Sequence, residues 1–160
     1  MMDNAVRSGV SPGRKFIRYW LPVILMLGTT AYLSTDMFSN ANTRSVVDIL
    51  VQWFRPHTKR HVVNQINFAV RKSAHFGEYA LLAMLVFRAF RADSLLRWKL
   101  SWFCYTVLMV AGWSLLDELH QFFTRTRGAS IYDSMLDTAG GLFGLAIVAL
   151  INLRPRQLEP

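Results

Sequence analysis

Four apolar runs of roughly 17 to 20 residues constrain this chain more than any other feature, because a helix at about 1.5 Å per residue needs about that length to cross a ~30 Å hydrocarbon core. With 160 residues, 52% of them hydrophobic, and a mean hydropathy of +0.24, the chain is too apolar for an ordinary soluble domain. The fold class expected is therefore all-α: a polytopic membrane protein, a bundle of four transmembrane helices with spans at about 19–34, 73–90, 100–119 and 134–152. Residues 1–13 read as a flexible N-terminal tail, 14–153 as one membrane domain and 154–160 as a basic C-terminal tail.

A net charge of +8 would point to nucleic acid in a soluble protein. Here the Lys and Arg residues sit between apolar runs and form no basic stripe, so no nucleic-acid partner is expected and the charge reads as topology. Four spans put both termini on one side. The positive-inside rule makes that side cytoplasmic, on the strength of Arg7, Arg14, Lys15 and Arg18, the Arg88 to Lys99 connection, and Arg154 and Arg156. The other face also holds cations, among them Arg44, Arg55, Lys59, Arg60, Arg71, Arg125 and Arg127, which a functional site there would account for. The basic flank before Tyr19 also has the outline of a secretory signal peptide. Ala31-Tyr32-Leu33-Ser34 offers no clear small-x-small cleavage site, and Tyr19 and Trp20 suit a retained span at an interface. The single cysteine, Cys104, rules out an intramolecular disulfide and reads as a buried small hydrophobe.

Between Ser34 and Arg71 the chain turns polar. Within it, Arg44 to Phe54 places Val46, Val47, Leu50, Val51 and Phe54 on one helical face, as expected of an amphipathic helix lying on the membrane or capping the bundle.

Ionisable residues cluster at three helix ends. Lys72, His75, Glu78 and Tyr79 fall at i, i+3, i+6 and i+7, one stripe at the start of the second span. Asp117, Glu118 and Gln121 end the third span, Arg125 and Arg127 follow, and Asp133 and Asp137 open the fourth. The topology brings all of these to the extracytoplasmic level. A charged group there costs on the order of 2 to 3 kcal/mol at the bilayer centre, less near the interface, unless paired, so a layer of them suggests function.

Asp117 and Gln121 share a face, as do Asp133 and Asp137, whereas Glu118 points about 100° away from Asp117. Each residue also has a structural explanation. His75 with Glu78 is either an acid/base pair or a packing hydrogen bond. Asp117 with Arg127 is either an acid with an anion clamp or an ion pair shielding both from lipid. Asp133 could serve as an N-cap. Gly140 and Gly144 form a small-xxx-small face for helix packing.

No phosphate loop, His-Glu-x-x-His, Gly-x-Ser-x-Gly or internal repeat is present. The motifs Lys72-x-x-His75-Phe76-x-Glu78-Tyr79, Asp117-Glu118-x-x-Gln121-x-Phe123, and Arg127 followed by Asp133-x-x-x-Asp137-x-x-Gly140-x-x-x-Gly144 resemble the VanZ-like family of small bacterial membrane proteins. Asp137 stands where that family usually has Asn. The family's founding member is associated with reduced susceptibility to teicoplanin-type glycopeptide antibiotics.

The resemblance implies a multi-pass protein of the bacterial cytoplasmic membrane, within the cell envelope. Its partners would be membrane lipids and a lipid-linked envelope precursor, with a homo-oligomer conceivable through Gly140 and Gly144. Three functions fit the residues. The first is recognition or modification of an anionic, lipid-linked substrate, with His75, Glu78, Asp117 and Asp137 catalytic and Lys72, Tyr79, Gln121, Arg127 and Asp133 binding. A divalent metal on Asp117, Asp137 and His75 could serve as cofactor. The second is a non-catalytic lipid-binding or scaffold protein. The third is a subunit of a proton-coupled transporter.

Overall fold

A computed structural model describes residues 11–35, 40–123 and 130–153. Five helices account for most of these: α1 (Pro12–Leu33), α2 (Asn40–Phe54), α3 (Arg60–Arg91), α4 (Leu100–Phe122) and α5 (Ile131–Leu153). Three of them, α1, α4 and α5, are long and apolar enough to cross a membrane. Large apolar side chains such as Leu25, Leu108, Leu116 and Leu150 point outward from them, as lipid-facing surfaces require.

The helix that organises the bundle is α3, which packs on all four others and most extensively on α5. Its second half buries Tyr79, Ala80, Leu82, Ala83, Val86, Phe87 and Ala89 against its neighbours. Enclosure also explains its composition. A helix sheltered by others can carry Lys72, His75 and Glu78 in a way that a lipid-facing helix cannot.

Its 32 residues span about 48 Å, well beyond a ~30 Å hydrocarbon core. The segment 60–71, which lies before the expected second span, thus forms the first three turns of α3. The cause is its own periodicity, because Val63 and Asn67 at i and i+4 are buried on one face while the residues between them face out.

Two other expectations need correction. Pro12 and Gly13 belong to α1 and not to a tail. Proline suits a first helical turn, where its missing N–H would be unpaired anyway. Cys104 is exposed, because the buried stripe of α4 runs through Thr106, Val110 and Ser114 and leaves position 104 on the outer surface.

The α2 helix lies on α3 as an amphipathic element, but only Val47 of its expected apolar face is buried. Val46, Leu50 and Phe54 are exposed, along with Ile49 and Trp53.

Inside a membrane, lipid tails are as apolar as leucine, so helices associate through close packing. Gly140 and Gly144 make that possible here. A Cβ on Gly140 would run into the Phe76 backbone, whose carbonyl carbon lies 3.1 Å away, and one on Gly144 would strike the Ala80 backbone, with its Cα at 2.9 Å. Gly141 does the same toward α4, with Val110 Cγ1 at 2.7 Å. The Gly140 and Gly144 face is therefore filled by α3 of the same chain, which leaves it unavailable for a homo-oligomer contact.

Candidate functional site

One stripe of α4, Thr106, Val110, Ser114, Asp117, Glu118 and Gln121, is buried along its whole length. The 3.6-residue period turns these positions toward the bundle. The stripe is apolar or weakly polar in mid-helix and strongly polar at the C-terminal end, where the chemistry collects.

Asp117 is 5% exposed and Asp137 2%. Each carboxylate is held by hydroxyls from neighbouring helices. The Ser34 hydroxyl, just past α1, donates to Asp117 Oδ2 at 2.7 Å, and Gln121 Nε2 donates to the same oxygen at 3.1 Å. The Ser114 hydroxyl lies 3.2 Å from Asp137 Oδ2 and 3.0 Å from the Ser134 hydroxyl.

From α3, His75 Nδ1 comes within 3.7 Å of Asp137 Oδ1. One ligand atom from each of His75, Asp117 and Asp137 falls within 4.8 Å of the other two. Two carboxylates so close in a water-poor layer repel one another, and a cation between them would offset that cost. An imidazole nitrogen with two carboxylate oxygens is also a donor set suited to a divalent metal with a coordination position left open.

Tyr79, one turn after His75, is fully buried. Its hydroxyl makes no hydrogen bond of ordinary geometry among the described residues, and the Ser114 hydroxyl and the Asp117 and Asp137 carboxylates belong to its surroundings. A buried hydroxyl without such a bond loses about 1 to 3 kcal/mol, so something must be gained from keeping it there.

The remaining predicted residues take other positions. Lys72 forms an ion pair with Asp133 at the partly exposed rim. Asp133 therefore does not cap α5; it stands in the helix's first turn, where the helix dipole also favours a carboxylate. Glu118 points to the start of α5 and accepts the Ser130 N–H at 2.8 Å, supplying from another helix the partner that a helix start otherwise lacks. Glu78 is half-buried and stands outside the three-donor cluster. Arg125 and Arg127 lie outside the described residues.

Sequence reading missed Ser34, Ser114 and Ser134, although 114, 117 and 121 already share one helical face. It also missed the link between Trp113 and Thr30, whose indole N–H donates to the threonine hydroxyl at 2.9 Å.

The opposite end of the bundle is basic. Lys15 lies 3.0 Å from Asp93 in the α3–α4 connection, and the Tyr19 hydroxyl donates to the same carboxylate. Chiefly because of that hydrogen bond, and then because of Lys15, the Asp93 carboxyl is held below its ordinary range. Arg91 and Arg97 reach Asn152 at the end of α5. The cationic start of α1, the α3–α4 connection and the end of α5 are thus gathered at one end, with the carboxylates at the other.

Apolar helices with outward leucines and a polar layer enclosed between them define a multi-pass helical membrane protein. The chain belongs to the VanZ/LLP1 family, whose model matches residues 19–152. No curated protein and no solved structure matches it.

Proposed function

We propose that this is a four-span protein of the bacterial cytoplasmic membrane, with both termini cytoplasmic, that recognises or modifies an anionic, lipid-linked envelope substrate at its extracytoplasmic polar layer. The remaining span, second along the chain, is the latter half of α3, which packs against the three apolar helices. The orientation is supported by the collection of Lys15, Arg18, Arg88, Arg91 and Arg97 at one end. The exposed apolar face of α2 then lies on the outer interface.

One observation carries the reading: His75, Asp117 and Asp137 converge from three helices beside a buried tyrosine hydroxyl that makes no hydrogen bond of ordinary geometry among the described residues. Groups held this way are preorganised, because the Ser34 hydroxyl and the Gln121 amide fix Asp117 and the Ser114 hydroxyl fixes Asp137. In this proposal His75, Asp117 and Asp137 would hold a divalent cation, which would supply the positive charge that binds the substrate's phosphate, and Tyr79 donates to the bound anion. Lys72 assists at the rim as a cation, and Arg127, outside the described residues, is proposed as a second cation for the substrate.

The test is binding of a polyprenyl phosphate to the purified full-length protein, followed by native mass spectrometry. Wild type should retain it, while His75→Ala and Asp137→Asn should lose it by about tenfold or more at unchanged membrane level. Equal retention in all three would remove the proposal.

A further inference from the structure

At the end of the bundle away from the carboxylates, α1, α3 and α5 enclose a cavity of about 400 Å³. Three arginines, Arg18, Arg88 and Arg91, line it together with the apolar side chains of Phe87, Val148 and the outward-facing Ile151. The two guanidinium groups of Arg18 and Arg88 lie over the ring of Tyr19, at 5.5 and 5.2 Å from its centroid. Tyr19 is itself buried, so the ring is a fixed platform that holds two cations side by side.

Arg91, one turn beyond Arg88, is fixed by the Leu96 carbonyl at 3.2 Å and Asn152 Oδ1 at 3.5 Å, which leaves most of its five donors uncommitted. Among the described residues no carboxylate pairs with any of the three. Asp93, the carboxylate at this end, is already taken by Lys15 and Tyr19.

Three cations that form no ion pair among the described residues, beside an apolar lining, match one ligand chemistry. We propose that this cavity binds an anionic phospholipid, with the phosphate at Arg18, Arg88 and Arg91 and an acyl chain against Phe87, Val148 and Ile151. Guanidinium forks suit phosphate oxygens because they donate in pairs, and basic pockets between membrane helices are where such headgroups lodge. Free phosphate would use the arginines and leave the apolar part of the lining without a role. The site is separate from the carboxylate layer and does not depend on that layer's function.

The test offers phosphatidylglycerol and phosphatidylcholine in equal amounts to the full-length protein in detergent, read by native mass spectrometry. Wild type should prefer phosphatidylglycerol by about tenfold, and Arg18→Gln with Arg88→Gln should abolish the preference. Arg55→Gln, a cation on the far end, should leave it intact. Arg88→Lys keeps the charge and so tests the fork without a severe change to the surface; it should weaken the preference by about threefold. Equal retention of the two lipids by wild type, or a preference unchanged in both arginine variants, overturns the proposal. So does thermal stabilisation by inorganic phosphate that matches phosphatidylglycerol, since that would mark a site for the free anion.

Discussion

At one end of the bundle, Asp117, Glu118 and Asp137 are buried between helices and each is engaged by a hydroxyl, an amide or a backbone N–H. At the other end Arg18 and Arg88 are exposed and meet an aromatic ring, and no carboxylate among the described residues forms an ion pair with either. The difference follows from solvation. A carboxylate withdrawn from water must find partners inside the protein, and each partner fixes it further. An arginine at the interface keeps its water and can wait for an anion. The acidic end is therefore built and rigid, and the basic end is open.

The largest effect should come from the contact that sets the spacing of both ends, α5 against α3. Gly144→Leu places a side chain where the Ala80 backbone already stands, so the helices must part, with a loss of about 3 kcal/mol or more. Gly77→Ala is the control, because nothing lies within 4 Å of that position, and the gain in helix propensity should be up to about 1 kcal/mol. Thermal unfolding in a mild detergent compares the two. Similar midpoints for both variants would mean that the close approach of α5 and α3 is not what holds the bundle.

Next comes the rigidity of the acidic end. Asp137→Ala strips Ser114 and His75 of a buried partner and should destabilise by about 2 kcal/mol, whereas Asp137→Asn keeps an acceptor for Ser114 and should lose less than half of that. Equal losses in the same melts would show that charge, and not hydrogen bonding, holds the layer.

A smaller effect is expected at the rim. Lys72→Ala breaks its pair with Asp133, but both groups are partly exposed, and the change should stay below about 1 kcal/mol. A loss as large as that of Asp137→Ala would move the rim into the rigid core of the site.

The smallest concerns the basic end and pH. Asp93 has a folded-state pKa below the unfolded one, so its contribution is fully present above the ordinary carboxylate range and fades as pH falls through the depressed value. Melting midpoints of wild type and Asp93→Asn should therefore converge in acid and separate slightly above it. A gap that widens toward low pH would have the sign wrong.

Much of the layout was legible from spacing alone. A 3.6-residue period puts Lys72, His75 and Tyr79 on one stripe of α3 and Asp117 with Gln121 on one stripe of α4, and the alternation of apolar runs with basic connections gives the order of the helices. What it hid has physical reasons. A serine in an apolar run costs a helix little, so Ser34, Ser114 and Ser134 look like filler until their partners on other helices are known. Glu118 was set apart from Asp117 by its angle on the helix, yet a buried face is wide enough to hold both, and the N–H that Glu118 satisfies belongs to a helix start twelve residues on. The early beginning of α3 was obscured because only Val63 and Asn67 are buried between Arg60 and Arg71, and the outward side chains mix polar Asn64 and Gln65 with apolar Ile66, Phe68 and Val70.

The central claim is that His75, Asp117 and Asp137 form a ligand site. Elemental analysis and lipid mass spectrometry of the detergent-purified protein test it directly, with His75→Ala and Asp117→Asn alongside. The account predicts a stoichiometric divalent metal together with a retained polyprenyl phosphate, both lost in the variants while the bundle still folds and keeps any phospholipid held at its basic end. Neither ligand in the wild type, with both variants melting well below it, would contradict the account and make the polar layer a purely structural one.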